Sequence, residues 1–241
     1  MQSSSSSTKI LKIVEGSENR KPVKFFIKEI PKNRYEDAAD HMCTYFLADE
    51  AICKSTNVKD DPVAVKDFRS LFLYVLEGGL SVAAFVENPE DGKSTIAGLN
   101  ILYRGGKEKD LEFQEFTNNF KSEKAKRILK VVSDTAAEVD AEKIYGTENY
   151  LGGLGLSVDP SFRGNGIGYH LLLARNEIGR KNGLVITITV FTSPISAKIA
   201  DQAGFTILCE KLRDELVDEK GEILVPNCQS ESFKCMGKRL E

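Results

Sequence analysis

Residues 156–168 restrict the fold more than any other part of this chain. They read Leu156-Ser157-Val158-Asp159-Pro160-Ser161-Phe162-Arg163-Gly164-Asn165-Gly166-Ile167-Gly168. A β-prone run passes through a polar, Gly-rich turn into an amphipathic stretch that ends at Asn182-Gly183. The first turn of a helix leaves backbone N–H groups unpaired and carries a positive partial charge. Glycines let a bulky anion approach that backbone, and Arg163 adds a cation, so the segment reads as a pyrophosphate cradle. The Walker pattern is absent, because no Gly-Lys-Ser/Thr follows. The dinucleotide pattern also fails, because the glycines are spaced by two and Tyr169 takes the last glycine's place. A tight strand-to-helix turn without a ligand is the alternative, and Val158, Pro160 and Arg163 in register with the glycines weigh against it.

The rest of the chain supplies strands and helices on both sides of this segment. Residues 23–30 read as a first strand closed by Pro31, and residues 35–47 as a helix with Ala38, Met42, Tyr45 and Phe46 at helical spacing. Asp61-Pro62 opens a helix whose apolar stripe is Phe68, Leu71, Phe72 and Val75, and Gly78-Gly79 ends it. Residues 80–87 and 94–102 are predicted to pair about the turn Asn88-Pro89-Glu90-Asp91-Gly92. A charged region leads to a helix over 122–140, followed by a glycine-interrupted strand over 150–158. A helix over 166–181, a strand over 184–191 and a short helix over 193–203 come next. Strands near 205–211 and 230–238 finish the order. It starts antiparallel and passes into β-α-β, which predicts an α/β (α+β) class with a single mixed sheet and helices on its faces.

Composition excludes several functions. With 241 residues, 33 Lys plus Arg and 36 Asp plus Glu, the net charge of -3 gives no support to nucleic-acid binding. Two histidines and five cysteines without a C-x-x-C pair fit neither a zinc site nor a disulfide scaffold, so no metal is expected. The apolar runs fall far below the ~18 residues of a membrane span. A run of five serines, Ser3-Ser4-Ser5-Ser6-Ser7, lacks the apolar core of a signal peptide. Residues 1–20 are therefore expected to be a flexible tail, residues 21–241 a single domain, and the location cytoplasmic.

Arg163-Gly164-Asn165-Gly166-Ile167-Gly168 resembles the R/Q-x-x-G-x-G/A signature of the GNAT superfamily of acetyl-CoA-dependent N-acyltransferases. The likeness is densest over residues 150–211, where Ala203-Gly204-Phe205 also fits, and the earlier element order agrees with it. Three shorter stretches look like the insect arylalkylamine N-acetyltransferases: Leu156-Ser157-Val158-Asp159, Ser193-Pro194-Ile195-Ser196-Ala197-Lys198, and Tyr45-Phe46-Leu47-Ala48-Asp49-Glu50.

That resemblance implies a mostly antiparallel sheet with a splayed parallel strand pair. It also implies direct acetyl transfer from acetyl-CoA to a small-molecule amine of the dopamine, octopamine, tyramine, serotonin or tryptamine type. No metal, nucleic acid or membrane is involved, and the chain would act as a monomer. Acetyl-CoA would be held by Arg163, Gly164, Asn165, Gly166, Ile167 and Gly168, by strand residues Leu156, Ser157 and Val158, and by Ser193. Backbone N–H groups near Leu156 would face the thioester carbonyl and stabilise an oxyanion. A primary alkylamine is mostly protonated at neutral pH, so a base is needed. The resemblance puts Glu50 in that role, with Ser196 and Thr192 as hydroxyls assisting it; Ser193 and Ser196 read equally well as N-cap groups of the helix that starts there. Many members carry a Tyr general acid where this chain has Ala200, so the thiolate must take its proton from elsewhere.

Tyr45, Phe46, Phe68, Phe72 and Phe191 are candidate substrate walls, although an aromatic at helical spacing is more often core. His41 and His170 read as packed or solvent-facing. The alternatives are a GNAT enzyme for polyamines or other small amines, and a CoA-binding domain without catalysis.

Overall fold

The computed structural model describes residues 9–18, 21–87 and 94–241. One eight-stranded sheet organises them. Its strands in chain order are β1 (Ile10–Glu18), β2 (Lys21–Glu29), β3 (Val82–Glu87), β4 (Ser94–Gly105), β5 (Tyr150–Val158), β6 (Ile186–Phe191), β7 (Thr206–Leu212) and β8 (Ser232–Arg239). Across the sheet the order is β1-β2-β3-β4-β5-β6-β8-β7. Every neighbouring pair is antiparallel except β5 and β6. The mixed sheet with one parallel pair is the architecture expected from the sequence.

Helices cover both faces. On one lie α1 (Tyr35–His41), α2 (Leu47–Asp49), α3 (Ala51–Ser55), α4 (Pro62–Leu76) and α6 (Glu123–Ala136). The other carries α8 (Ile167–Leu173) and α9 (Arg175–Lys181). Helices α5 (Lys107–Asn118), α7 (Ala141–Tyr145) and α10 (Pro194–Gln202) complete the set. Strand β3 shows how the two cores are divided. Successive strand side chains point to opposite faces. Ala83 and Phe85 enter the core under α1–α4, while Val82, Ala84 and Val86 enter the core under α8 and α9.

Local chemistry accounts for the helix ends. Asp61 caps α4 by accepting from the N–H groups of Val63 and Ala64, with Pro62 in the first turn. Ser122 caps α6 in the same way through Ala125. Between α1 and α2 the backbone widens into a π-helix over Met42–Phe46, a local defect often found at functional sites.

Three expectations need correction. Residues 10–18, assigned to a tail, form β1, because their backbone pairs along β2 from Ile10–Lys28 to Glu18–Lys21. The charged region after β4 contains α5, which the sequence does not announce because no residue of that helix is fully buried. The helix over 166–181 is split at Ala174 into α8 and α9. The turn Asn88-Pro89-Glu90-Asp91-Gly92 and the serines Ser3–Ser7 lie outside the described residues. No helix among the described residues is long and apolar enough to cross a membrane.

Candidate active site

The site is built on a fork. Strands β5 and β6 pair only at Leu151–Thr187 and Gly152–Ile188, then separate. At the same point β5 slips against β4: Ile101 faces Gly155 and Leu102 faces Gly153, leaving Leu154 without a register partner. This is a β-bulge, and the glycines expected to let the strand bend sit on either side of it. They also admit close neighbours. A Cβ on Gly153 would lie 2.3 Å from Arg175 Nη2, and one on Gly155 would lie 2.6 Å from the Met42 methyl. A cleft of about 1750 Å³ runs through the fork, from the Gly-rich loop at one end to α5 and α7 at the other.

At the loop end, Asp159 accepts from the Ser161 N–H (2.9 Å) and turns the chain after β5. Gly164 (φ +85°) and Gly166 (φ +70°) adopt left-handed backbone that suits glycine. Gly166 precedes α8 with no side chain capping it, so the first turn keeps its N–H groups for another acceptor. The loop therefore fits an anionic cofactor through its backbone. Its side chains do other work. Asn165 accepts from Ser17 N–H (2.8 Å) and donates to the Ser17 and Phe162 carbonyls (both 2.9 Å), which pins β1 to the loop. Ile167 is buried in the core under α8, and Gly168 faces Leu156 and Ile199. Arg163 donates to the Val158 carbonyl (3.1 Å) and reaches Asp49 Oδ2 (2.5 Å), next to Glu50.

Glu50 lies between α2 and α3 and caps α3. Its Oε1 accepts from Ile52 N–H (3.1 Å), and its Oε2 accepts from Cys53 N–H (2.7 Å). Thr192, just past β6, donates its hydroxyl to Oε1. Three donors thus converge on a half-buried carboxylate that lines the cleft. Burial, together with Glu50, pushes the neighbouring Cys53 thiol well up, so it stays protonated. Ser193 and Ser196 make a capping box on α10. Ser193 Oγ accepts from Ser196 N–H (3.2 Å), and Ser196 Oγ accepts from Ser193 N–H (3.3 Å). The fold therefore brings Thr192 to Glu50, while Ser196 is used at the start of α10.

The aromatic candidates divide by burial. Tyr45 and Phe46 come from the π-helix, are half-buried, and line the cleft. Phe68 and Phe72 touch the cleft but belong to the core, stacked on each other at 6.0 Å. Phe191 is likewise core, set edge-on to Phe205 at 5.6 Å.

Sequence reading gave no partner to His41. Here it bonds Ser157 Oγ at 3.2 Å, tying the end of α1 to the end of β5. Burial pushes its pKa down to about 4, against the upward pulls of Asp159 and the Ile96 backbone. Arg175 was also missed. Its position three and four residues from Leu171, Leu172, Ile178 and Gly179 places a cation in an apolar helix stripe, the one signal that marks it.

No protein-family model and no curated protein matches the sequence. Solved structures do match. A mosquito protein called arylalkylamine N-acetyltransferase 7, from Aedes aegypti, is similar with TM-score 0.84 and 27% identity over 98% of this chain and 96% of that one. Arylalkylamine N-acetyltransferase 2 of the same species gives TM-score 0.76 and 25% identity over 90% and 99%. The fold is that of the GNAT acetyltransferases. Drosophila melanogaster polyamine N-acetyltransferase shares this GNAT fold too, with TM-score 0.74 and 17% identity over 90% and 100%. In this chain the fork, the Gly-rich loop and the Glu50 segment line one cleft.

Proposed function

We propose that this chain transfers acetyl from acetyl-CoA to the primary amine of an arylalkylamine, of the dopamine, octopamine, tyramine, serotonin or tryptamine type. The observation that carries the reading is Glu50, an acceptor-only side chain held by three donors at the wall of a forked GNAT cleft. The two mosquito proteins that carry the arylalkylamine N-acetyltransferase name, similar along most of their length, support the same substrate class.

In this reading the N–H groups of residues 164–168 hold the pyrophosphate, and β5 from Leu156 to Val158 lies along the pantetheine arm. Acetyl-CoA brings the activated acetyl group. Glu50 takes the proton that the ammonium must lose, directly or through water, and Thr192 fixes the orientation of its carboxylate. Tyr45 and Phe46 present aromatic surface to the amine's ring. No side-chain nucleophile is used.

Acetylation of a polyamine or other small amine is the second reading, and one feature favours it. The far wall of the cleft carries Asp110, Glu142 and Glu148 around Lys107, which pairs with both glutamates, and the acidic excess that remains suits a substrate with a second cationic group. A panel of amines at fixed acetyl-CoA, followed by thiol release, tests both. Turnover of arylalkylamines with little spermidine or agmatine turnover supports the first reading, and the opposite pattern overturns it. CoA binding without turnover on any amine would make the chain a non-catalytic CoA-binding domain.

A further inference from the structure

Arg175 is one of the largest fully buried side chains, with 1% exposure. Burying a guanidinium is costly, and an apolar residue of similar volume is often better tolerated. Its surroundings contain hydroxyls, an amide and an aromatic face. Nε donates to Asn100 Oδ1 (2.9 Å), and Nη1 donates to Thr187 Oγ1 (3.0 Å) and Thr189 Oγ1 (2.6 Å). The Phe205 ring lies 5.5 Å away. Nη2 takes no hydrogen-bond acceptor among the described residues and lies against Gly153. Burial lowers the pKa to about 9, which still leaves the group charged at neutral pH.

These contacts lie where the parallel ladder stops. Thr187 forms the first of the two register pairs of β5 and β6, and Thr189 is the next residue of β6 on the same face, just past the second. Both partners continue the connection into β5. Thr187 Oγ1 donates to the Leu151 carbonyl (2.6 Å), and Asn100 Nδ2 donates to the Gly155 carbonyl (2.8 Å) across the bulge. One planar group thus holds β6 directly and β5 through two relays. The Gly155 carbonyl, which lies on β5 beyond the last parallel pair, is thereby taken from the β4 side.

We infer that Arg175 is the positioning residue of the cleft, a buried wedge that keeps β5 and β6 apart and sets the width of the channel for the pantetheine arm. The inference rests on the acetyl-CoA reading above. Only a planar, multiply donating side chain reaches all three acceptors at once. Lysine, with the same charge on a single nitrogen, would not span them.

Calorimetric CoA titration, with acetyl-CoA KM and kcat, tests this on the full chain. Wild-type protein that binds no CoA removes the cofactor reading itself, independently of Arg175. Given wild-type binding, Arg175→Met is expected to weaken CoA and raise acetyl-CoA KM on the order of tenfold or more in the folded fraction. Arg175→Lys should fail to restore either value. Thr189→Val, which keeps the arginine and removes its shortest bond, should shift both in the same direction by less. Wild-type Kd and KM in Arg175→Met, with only melting temperature or active fraction reduced, would overturn the wedge. So would full restoration by Arg175→Lys, which would mean that charge alone matters. If Arg175→Met does not fold, Thr189→Val and Gly153→Ala decide, and unchanged CoA affinity in both overturns the inference.

Discussion

Thr192 gives its hydroxyl hydrogen to Glu50, 142 residues earlier in the chain. Thr192 follows β6 on one side of the fork, and Glu50 caps a short helix on the other. Their contact spans the cleft wall and turns a common loop carboxylate into one with a defined orientation.

If Glu50 is the base, Glu50→Gln should lower turnover at neutral pH about a hundredfold or more, a usual size for a lost general base. The amide oxygen can still cap α3, so acetyl-CoA KM should remain near wild type. Turnover of the variant should recover as the pH rises toward the amine's own pKa near ~10. A pH–rate profile checks this, and a variant matching wild type at every pH would sink the assignment.

The two hydroxyl candidates can be separated. Thr192→Val removes a bond to a charged group, typically worth about 1.5–3 kcal/mol, so kcat should fall roughly tenfold or more. Ser196→Ala breaks the capping box and should cost about 1 kcal/mol of stability, read as a lower melting temperature. Its effect on kcat should be the smaller of the two. The reverse ranking in kcat would make Ser196 the assisting hydroxyl.

Arg163 and Asp49 form an ion pair that is half exposed on both sides, 50% and 43%. Such pairs contribute about 0–1 kcal/mol. Arg163→Ala should therefore leave urea stability nearly unchanged while weakening CoA on the order of tenfold, with the difference shrinking at high salt. Loss of stability with intact CoA affinity would show that the arginine serves only the Asp49 contact.

His41 makes stability depend on pH. Its folded pKa of about 4 lies below the unfolded value near ~6.5, so the unfolded chain binds the proton first. Its contribution is intact above the unfolded value and is lost as the pH falls from ~6.5 toward 4, by up to about 3 kcal/mol. Urea unfolding of wild type and His41→Gln across that window measures it. Parallel curves for the two proteins would remove His41 as the cause.

Several elements were legible in the sequence because their causes are local. The Pro-led, Asp-capped start of α4, the capping serines of α10 and the glycines of the loop depend on neighbours within a few residues. The aromatic candidates were less so. Periodicity puts Phe68 and Phe72 on a buried stripe but does not say how near that stripe comes to a cleft. Strand β1 escaped notice because an edge strand exists through its ladder to β2 and through Asn165, which reaches Ser17 from 148 positions away.

The sequence by itself determined the mixed α/β class, the strand–loop–helix that suits a phosphate, and the absence of zinc-finger or disulfide patterning. Tertiary structure decided which groups meet. The pairing of Glu50 with Thr192, the link from His41 to Ser157 and the burial of Arg175 at the fork all join residues distant in sequence or hidden within a helix stripe. The physical reason is that propensity and capping are set by near neighbours, whereas these contacts depend on strand order and on where β5 leaves β6.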